Sequence, residues 1–471
     1  MTRSDTRTGL ALLAAFSVLF VPTLHAWTLP GFRVGALEFD PWLGLVGSPF
    51  PGRIVHTVGF LVAGLAYARL SSSAQVPSAR LVVAGLVVAF AAVPWISPDV
   101  MFYLAKGWAQ VEWDMSAYRT SIGQVPDFAA DPVFGSMVPG LANLKGNYGP
   151  LFQELSTLIA SISGGNPQVG LLVFKVVMTG AMMVCCLQVR DLQRSCGRAE
   201  RPWSMELMLL NPLLIANFVV AAHNDVVLMV LVLAGLQLAL RSRYLLSGIF
   251  LGLSISIKLI GVFLLPVLGL YILRNLKMSR AVKAAAMGIV GVLLGGLVGV
   301  LPDLGSTGYF ESIVQYEAQI FRSSIYLLLD PVVRDQGFEV SAMVLGKVAF
   351  VVVAGFVLYR NYRVYWPQPN QFLLRSAFEV LLLMQLLVLP SMNEWYLAWT
   401  LLLAFALPDD AAAGWIRSVS VLYMPLVVWA IVGDPIVTGS AQLLILVVLL
   451  LTTAVYFLDV RRIGSVAEAA V

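Results

Sequence analysis

Apolar runs of about 17–25 residues recur from the beginning of the chain to its end, each long enough to cross ~30 Å of hydrocarbon as a helix. Inside a bilayer every backbone N–H and C=O must find a partner within the protein, so segments of this kind are confined to α-helix. The 471 residues are 59% hydrophobic and 12% charged, against roughly 45–50% apolar and ~25% charged in soluble domains. No soluble core hides that much apolar surface. The whole chain, residues 1–471, is therefore read as a single all-α polytopic membrane domain of about 12–14 transmembrane helices. The net charge of +4 is spread singly over short loops, which argues against nucleic acid as a partner. Cys185, Cys186 and Cys196 lie in or beside one apolar segment and have neither disulfide nor metal-site spacing.

Spans are predicted near 9–26, 54–70, 81–97, 168–188, 204–222, 225–240, 244–257, 259–273, 283–301, 341–360, 372–390, 394–407, 417–432 and 438–458. The first imitates a secretory signal, with Arg3 and Arg7 before the run Leu10 to Val21, and is expected to be an uncleaved anchor. With the N-terminus inside, about twenty basic residues fall on the cytoplasmic side and about eight outside, the bias that membrane insertion requires. Counting 150–163 as a full span would put the arginines at 190, 194, 198 and 201 outside, so this stretch is expected to be a partly inserted or re-entrant helix. Two long extracytoplasmic loops remain, 98–167 and 302–340, and loops of such length are usually functional.

Several polar groups interrupt apolar sequence at the predicted outer face. Pro98 ends a hydrophobic helix directly before Asp99, a carboxylate whose partial desolvation would raise its proton affinity and suit it to general-base work. An interfacial helix end that simply favours a polar residue also explains Asp99. The loop that follows carries Glu112, Asp114, Tyr118, Asp127 and Asp131 with Trp108 and Trp113, a mixture suited to sugar hydroxyls and sugar C–H faces. His223-Asn224-Asp225 joins two spans with almost no loop; turn chemistry accounts for Asn and Asp but not for His. Lys258, against the positive-inside trend, calls for an anionic partner, either a carboxylate such as Asp225 or a lipid phosphate. Arg322 in the second long loop presents the same alternatives. Glu394, with Trp395 and Tyr396, forms another short outer junction.

The ordered set Pro98-Asp99, Tyr103-Leu104-Ala105-Lys106-Gly107, Asp114 with Tyr118, Asp131-Pro132, Tyr148-Gly149-Pro150-Leu151, Ala222-His223-Asn224-Asp225 and Ser256-Ile257-Lys258 resembles the polyprenyl-phosphomannose-dependent α-1,6-mannosyltransferases of actinobacterial lipomannan synthesis. These belong to the GT-C superfamily. The resemblance runs from about residue 81 to 396 and departs at Trp113–Tyr118, where the family usually shows Gly-Asp/Asn-Pro-Tyr. It implies a GT-C-like bundle in a bacterial cytoplasmic membrane, with an extracytoplasmic site. There an acceptor hydroxyl of a glycan or glycolipid, deprotonated by Asp99, displaces polyprenyl phosphate from a sugar, with inversion. Lys258, with His223 or Arg322, would meet the departing phosphate. Tyr103, Asp114, Tyr118, Tyr148, Asn224, Asp225, Glu394 and Trp395 would bind sugar or acceptor. No cofactor or obligatory metal is expected, because protein cations suffice for a monophosphate leaving group. A transporter or flippase of lipid-linked sugar is the competing reading. Its charges would sit near the midplane and its halves would repeat, neither of which the sequence shows.

Overall fold

The computed structural model describes residues 3–28, 49–73, 76–137 except 96, 126, 127 and 129, 141–196, 204–301, 342–389, 392–431 except 409, and 435–469, together with 309, 324–326 and 329. Among them the structure is helical, and seven helices are long and apolar enough to cross a membrane, or eight if a bent pair is counted as one span. Shorter apolar helices, Ala79–Ala91, Tyr244–Ile255, Leu259–Asn275 and Glu394–Ala406, fill in between them. Arg322 and most of the loop 302–340 lie outside the described residues, as does Asp127.

Helix boundaries follow local chemistry. Ser78 and Asn166 cap the helices Ala79–Ala91 and Pro167–Ser195 by accepting from backbone N–H groups that would otherwise be orphaned. Pro94 keeps the first of these from continuing to residue 97 as the apolar run suggests; it stops at Ala91. The predicted re-entrant segment is a helix, Pro150–Ser163, closed by Gly164 in the left-handed region at φ +54° and packed along the helix Asp99–Trp113.

The predicted span 204–222 is instead broken. Asn211 accepts from the N–H groups of Leu213 and Leu214, and the chain passes through Pro212–Leu214 into a π-helical turn, Ile215–Val220. It then bends by 114° into the helix Asp225–Leu240. A π turn of this kind often marks a functional site. The predicted span 259–273 likewise starts as a 3₁₀ turn, Leu259–Leu264, before the helix Leu265–Asn275.

Packing is of the membrane type. Tyr244–Ile255 and Met278–Val300 meet through small residues: a Cβ at Gly248 would lie 2.1 Å from the carbonyl oxygen of Gly288. The opposite side of Met278–Val300 leaves Leu293 and Val282 67% and 59% exposed, a face for lipid. Buried Glu379 accepts hydrogen bonds from Arg360, Asn361 and Tyr456 at 2.6, 2.7 and 2.8 Å, tying Ala342–Val364, Pro369–Leu387 and Pro435–Ala469 together.

Candidate active site

Five distant stretches of sequence meet at one cluster. Asp99 is the first residue of its helix, where the N-terminal dipole favours a carboxylate. Its Oδ2 accepts a 2.9 Å hydrogen bond from the hydroxyl of Tyr148 and lies 3.5 Å from that of Tyr103. The Tyr103 hydroxyl also lies 3.3 Å from His223 Nδ1 and 3.4 Å from Asn224 Oδ1. His223 stacks on Trp395, ring centroids 4.0 Å apart. On the other side of Tyr148, the Lys258 ammonium stands 5.3 Å from the Tyr148 ring centroid and donates a 2.8 Å hydrogen bond to Asp225 Oδ1. Trp399 Nε1 donates to the same oxygen at 2.8 Å. Tyr148 thus separates a carboxylate from a cation.

The cluster has two layers. His223, Asn224 and Asp225 are wholly buried, and His223 Nε2, Asn224 Nδ2 and Asp225 Oδ2 have no hydrogen-bond partner among the described residues. Each unpaired polar atom of this kind leaves about 1–3 kcal/mol of desolvation unrecovered, a pattern that selection for stability alone disfavours. The side chains of Asp99 and Lys258 keep 18% and 16% exposure, and Tyr148 is half-buried. The accessible layer is therefore Asp99, Tyr148 and Lys258; the buried layer holds them in place. Ala222, at φ +53°, takes the left-handed turn that swings His223 inward, a conformation unusual for a residue with a Cβ and typical of strained functional sites.

Burial raises the Asp99 pKa above the ordinary carboxylate range; the Tyr148 hydrogen bond and the Lys258 charge offset part of that rise. Lys106, one turn beyond Tyr103, is buried and donates to the carbonyls of Ala117 and Thr120, anchoring the turn after its helix. Burial pushes its ammonium pKa down to about 7.

Not every candidate joins the cluster. Asp114 is exposed at the far end of the helix Asp99–Trp113, ~22 Å from Asp99 at 1.5 Å per residue. Tyr118 reaches the cluster indirectly, donating to the Tyr148 carbonyl at 2.9 Å. Asp131 is occupied as a helix cap and as acceptor for Trp108 Nε1. Glu394 is buried in the first turn of Glu394–Ala406, the helix that carries Trp395 to His223. Sequence reasoning did not single out Trp399, and it named Tyr396 only as part of an outer junction; the two flank Lys258 at 5.5 and 5.1 Å. It also missed Lys175, a lone cation in an apolar run, which the rarity of intramembrane charge should have flagged.

Gly149 lets Tyr148 and Lys258 meet. Its N–H donates to the Ile257 carbonyl at 2.9 Å, and a Cβ there would sit 2.1 Å from the Ser256 carbonyl oxygen. Gly149→Ala is expected to push the two segments apart at a cost of about 1–3 kcal/mol, lowering the unfolding midpoint in detergent. A midpoint equal to wild type would contradict this packing.

Residues 11–274 match the family described as alpha-(1->6)-mannopyranosyltransferase, N-terminal domain. The chain is 34% identical over 151 residues, 31% of its length and 24% of the relative's, to an alpha-(1->6)-mannopyranosyltransferase of Mycobacterium tuberculosis. It is 24% identical over 294 residues, 54% of its length and 48% of the relative's, to alpha-(1->6)-mannopyranosyltransferase B of Corynebacterium glutamicum. The matched stretches thus span less than half the length of these relatives. Asp99, Tyr103, Tyr148, His223, Asn224, Asp225 and Lys258 all fall within the family match; Glu394 and Trp395 fall beyond it.

Proposed function

Because the chain belongs to the alpha-(1->6)-mannopyranosyltransferase family, we propose that it transfers mannose from a polyprenyl-phosphate donor to a hydroxyl of a glycan or glycolipid, with inversion, on the extracytoplasmic face of a bacterial cytoplasmic membrane. The observation that carries this reading is the pair of partly exposed, oppositely charged groups on either side of Tyr148. Asp99 takes the proton of the acceptor hydroxyl as its oxygen attacks the anomeric carbon. The bond from that carbon to the phosphate oxygen breaks, and the polyprenyl phosphate leaves as an anion. Lys258, fixed by Asp225, supplies positive charge where negative charge develops. Direct displacement by the acceptor forms no covalent enzyme intermediate. The excess of basic residues in the segments read as cytoplasmic supports the extracytoplasmic placement.

Purified protein in detergent, given a polyprenyl-phosphate mannose and an α-mannoside acceptor, is expected to yield an elongated mannoside detectable by mass spectrometry. Turnover only with another donor sugar would move the substrate within this reaction class. Movement of the lipid-linked sugar across a reconstituted bilayer without product would instead make the protein a transporter.

The rate should also carry the signature of its base. Asp99 works as the carboxylate, so kcat/KM falls as pH drops through its pKa. Since burial raises that pKa, the acid limb should lie above the ~4 of a solvated aspartate. Removing the Tyr148 hydroxyl takes away a hydrogen bond to the charged form, so Tyr148→Phe should move the limb further up. A limb that stays in place in a pH–rate profile of this variant would separate Tyr148 from the base.

A further inference from the structure

Lys175 lies within the apolar helix Pro167–Ser195 and is wholly buried. Among the described residues no carboxylate comes within ion-pair distance of it. Its ammonium nitrogen instead lies within hydrogen-bond distance of four backbone carbonyl oxygens, Ala92 at 2.9 Å, Ala89 at 3.4 Å, Val219 at 2.7 Å and Val220 at 2.9 Å, which share its three N–H donors. The first two end the helix Ala79–Ala91; the other two end the π turn Ile215–Val220. Helix ends carry unpaired carbonyls and partial negative charge, so a single buried cation satisfies two of them at once.

Both clamped ends lead directly into the candidate site, which makes Lys175 more than a cap. Residues 93–98, with prolines at 94 and 98, connect the first to Asp99. Ala221 and the left-handed Ala222 connect the second to His223 and Asn224, which stand against the Tyr103 hydroxyl beside Asp99. Without the ammonium, the carbonyls of Ala92, Val219 and Val220 would lose this donor, while Ala89 keeps only the N–H of Ala92, and the two segments would be free to separate.

We propose that Lys175 is a positioning residue for the transfer reaction: by clamping two helix ends together, it sets the distance between the segment carrying Asp99 and the turn carrying His223. It touches neither substrate nor Asp99. This inference rests on reading Asp99 as the general base, but its structural half is testable without turnover.

The test compares Lys175→Met, of similar length but without donors, and Lys175→Arg, which keeps charge and donors. The chain contains three histidines, so the His223 signal of ¹⁵N-histidine-labelled protein in detergent can be assigned by its loss in His223→Gln. In Lys175→Met the His223 signal is expected to shift and kcat to fall ~10–100-fold, with the donor KM changed less than ~3-fold, because misplacing a catalytic group costs rate rather than binding. Lys175→Arg should recover part of both. An unmoved His223 signal in folded Lys175→Met, or a kcat lowered only in proportion to the unfolded fraction, would overturn the proposal. Should the Met variant not fold, Lys175→Arg is read alone, with a smaller shift of the His223 signal and a smaller fall in kcat expected together; a lowered kcat with the His223 signal at its wild-type position would overturn the proposal, and failure of both variants to fold would assign Lys175 to stability alone and overturn it. If wild type shows no transfer, the functional reading fails by itself, while the His223 signal still decides whether Lys175 positions the turn.

Discussion

Asp99→Asn is expected to lower kcat by about 10²–10⁴-fold, the usual contribution of a general base, while the donor KM stays within ~3-fold. Asparagine keeps the shape of the side chain and still offers an oxygen to the Tyr148 hydroxyl, so the packing around the helix start is preserved and only the proton affinity is lost. Tyr148→Phe, which removes the hydroxyl and keeps the carboxylate, should retain most of the rate at neutral pH. That contrast isolates the base from its surroundings. Undiminished transfer by purified Asp99→Asn, measured under single-turnover conditions to exclude product release, would remove Asp99 from the chemistry.

The polar interruptions Asp99, His223-Asn224-Asp225 and Lys258 were legible because each stands out against apolar sequence at a predicted helix end. The partnership of Lys258 with Asp225, left open against a lipid phosphate, resolves in the structure as a 2.8 Å ion pair. The layering was not legible. Nothing in the string tells that Asn224 is sealed while Asp99 is partly open, because burial depends on the crossing of Glu394–Ala406 over the 114° bend. Asp114 illustrates the opposite failure. It lies close to Asp99 in sequence, but a single straight helix intervenes and carries the two apart. The broken span at 204–222 was hidden for a simpler reason: Asn211, Pro212 and Asn217 reroute the backbone hydrogen bonds, while the apolar residues around them keep the run long enough to read as a span.

Lys258→Met should lower kcat/KM by about 10²-fold, the scale of losing a charge that stabilises a leaving anion, and should destabilise the protein as well. The two effects have different causes. Asp225 is wholly buried and would be left without its cation, retaining the Trp399 hydrogen bond alone; stranding one partner of a buried pair costs about 3–5 kcal/mol. Asp225→Asn in the same background removes the stranded charge. The double variant should therefore regain most of the unfolding midpoint lost by Lys258→Met, yet remain as inactive, since no cation has been restored. Coupling of this kind is expected for side chains in direct contact and can be measured with a double-mutant cycle on both quantities. If activity returned together with stability, Lys258 would be only the structural counterion of Asp225, and the phosphate would have to be met by another cation. If neither returned, the pair would matter through its shape, through Lys258 seated among Tyr148, Tyr396 and Trp399, rather than through its charge.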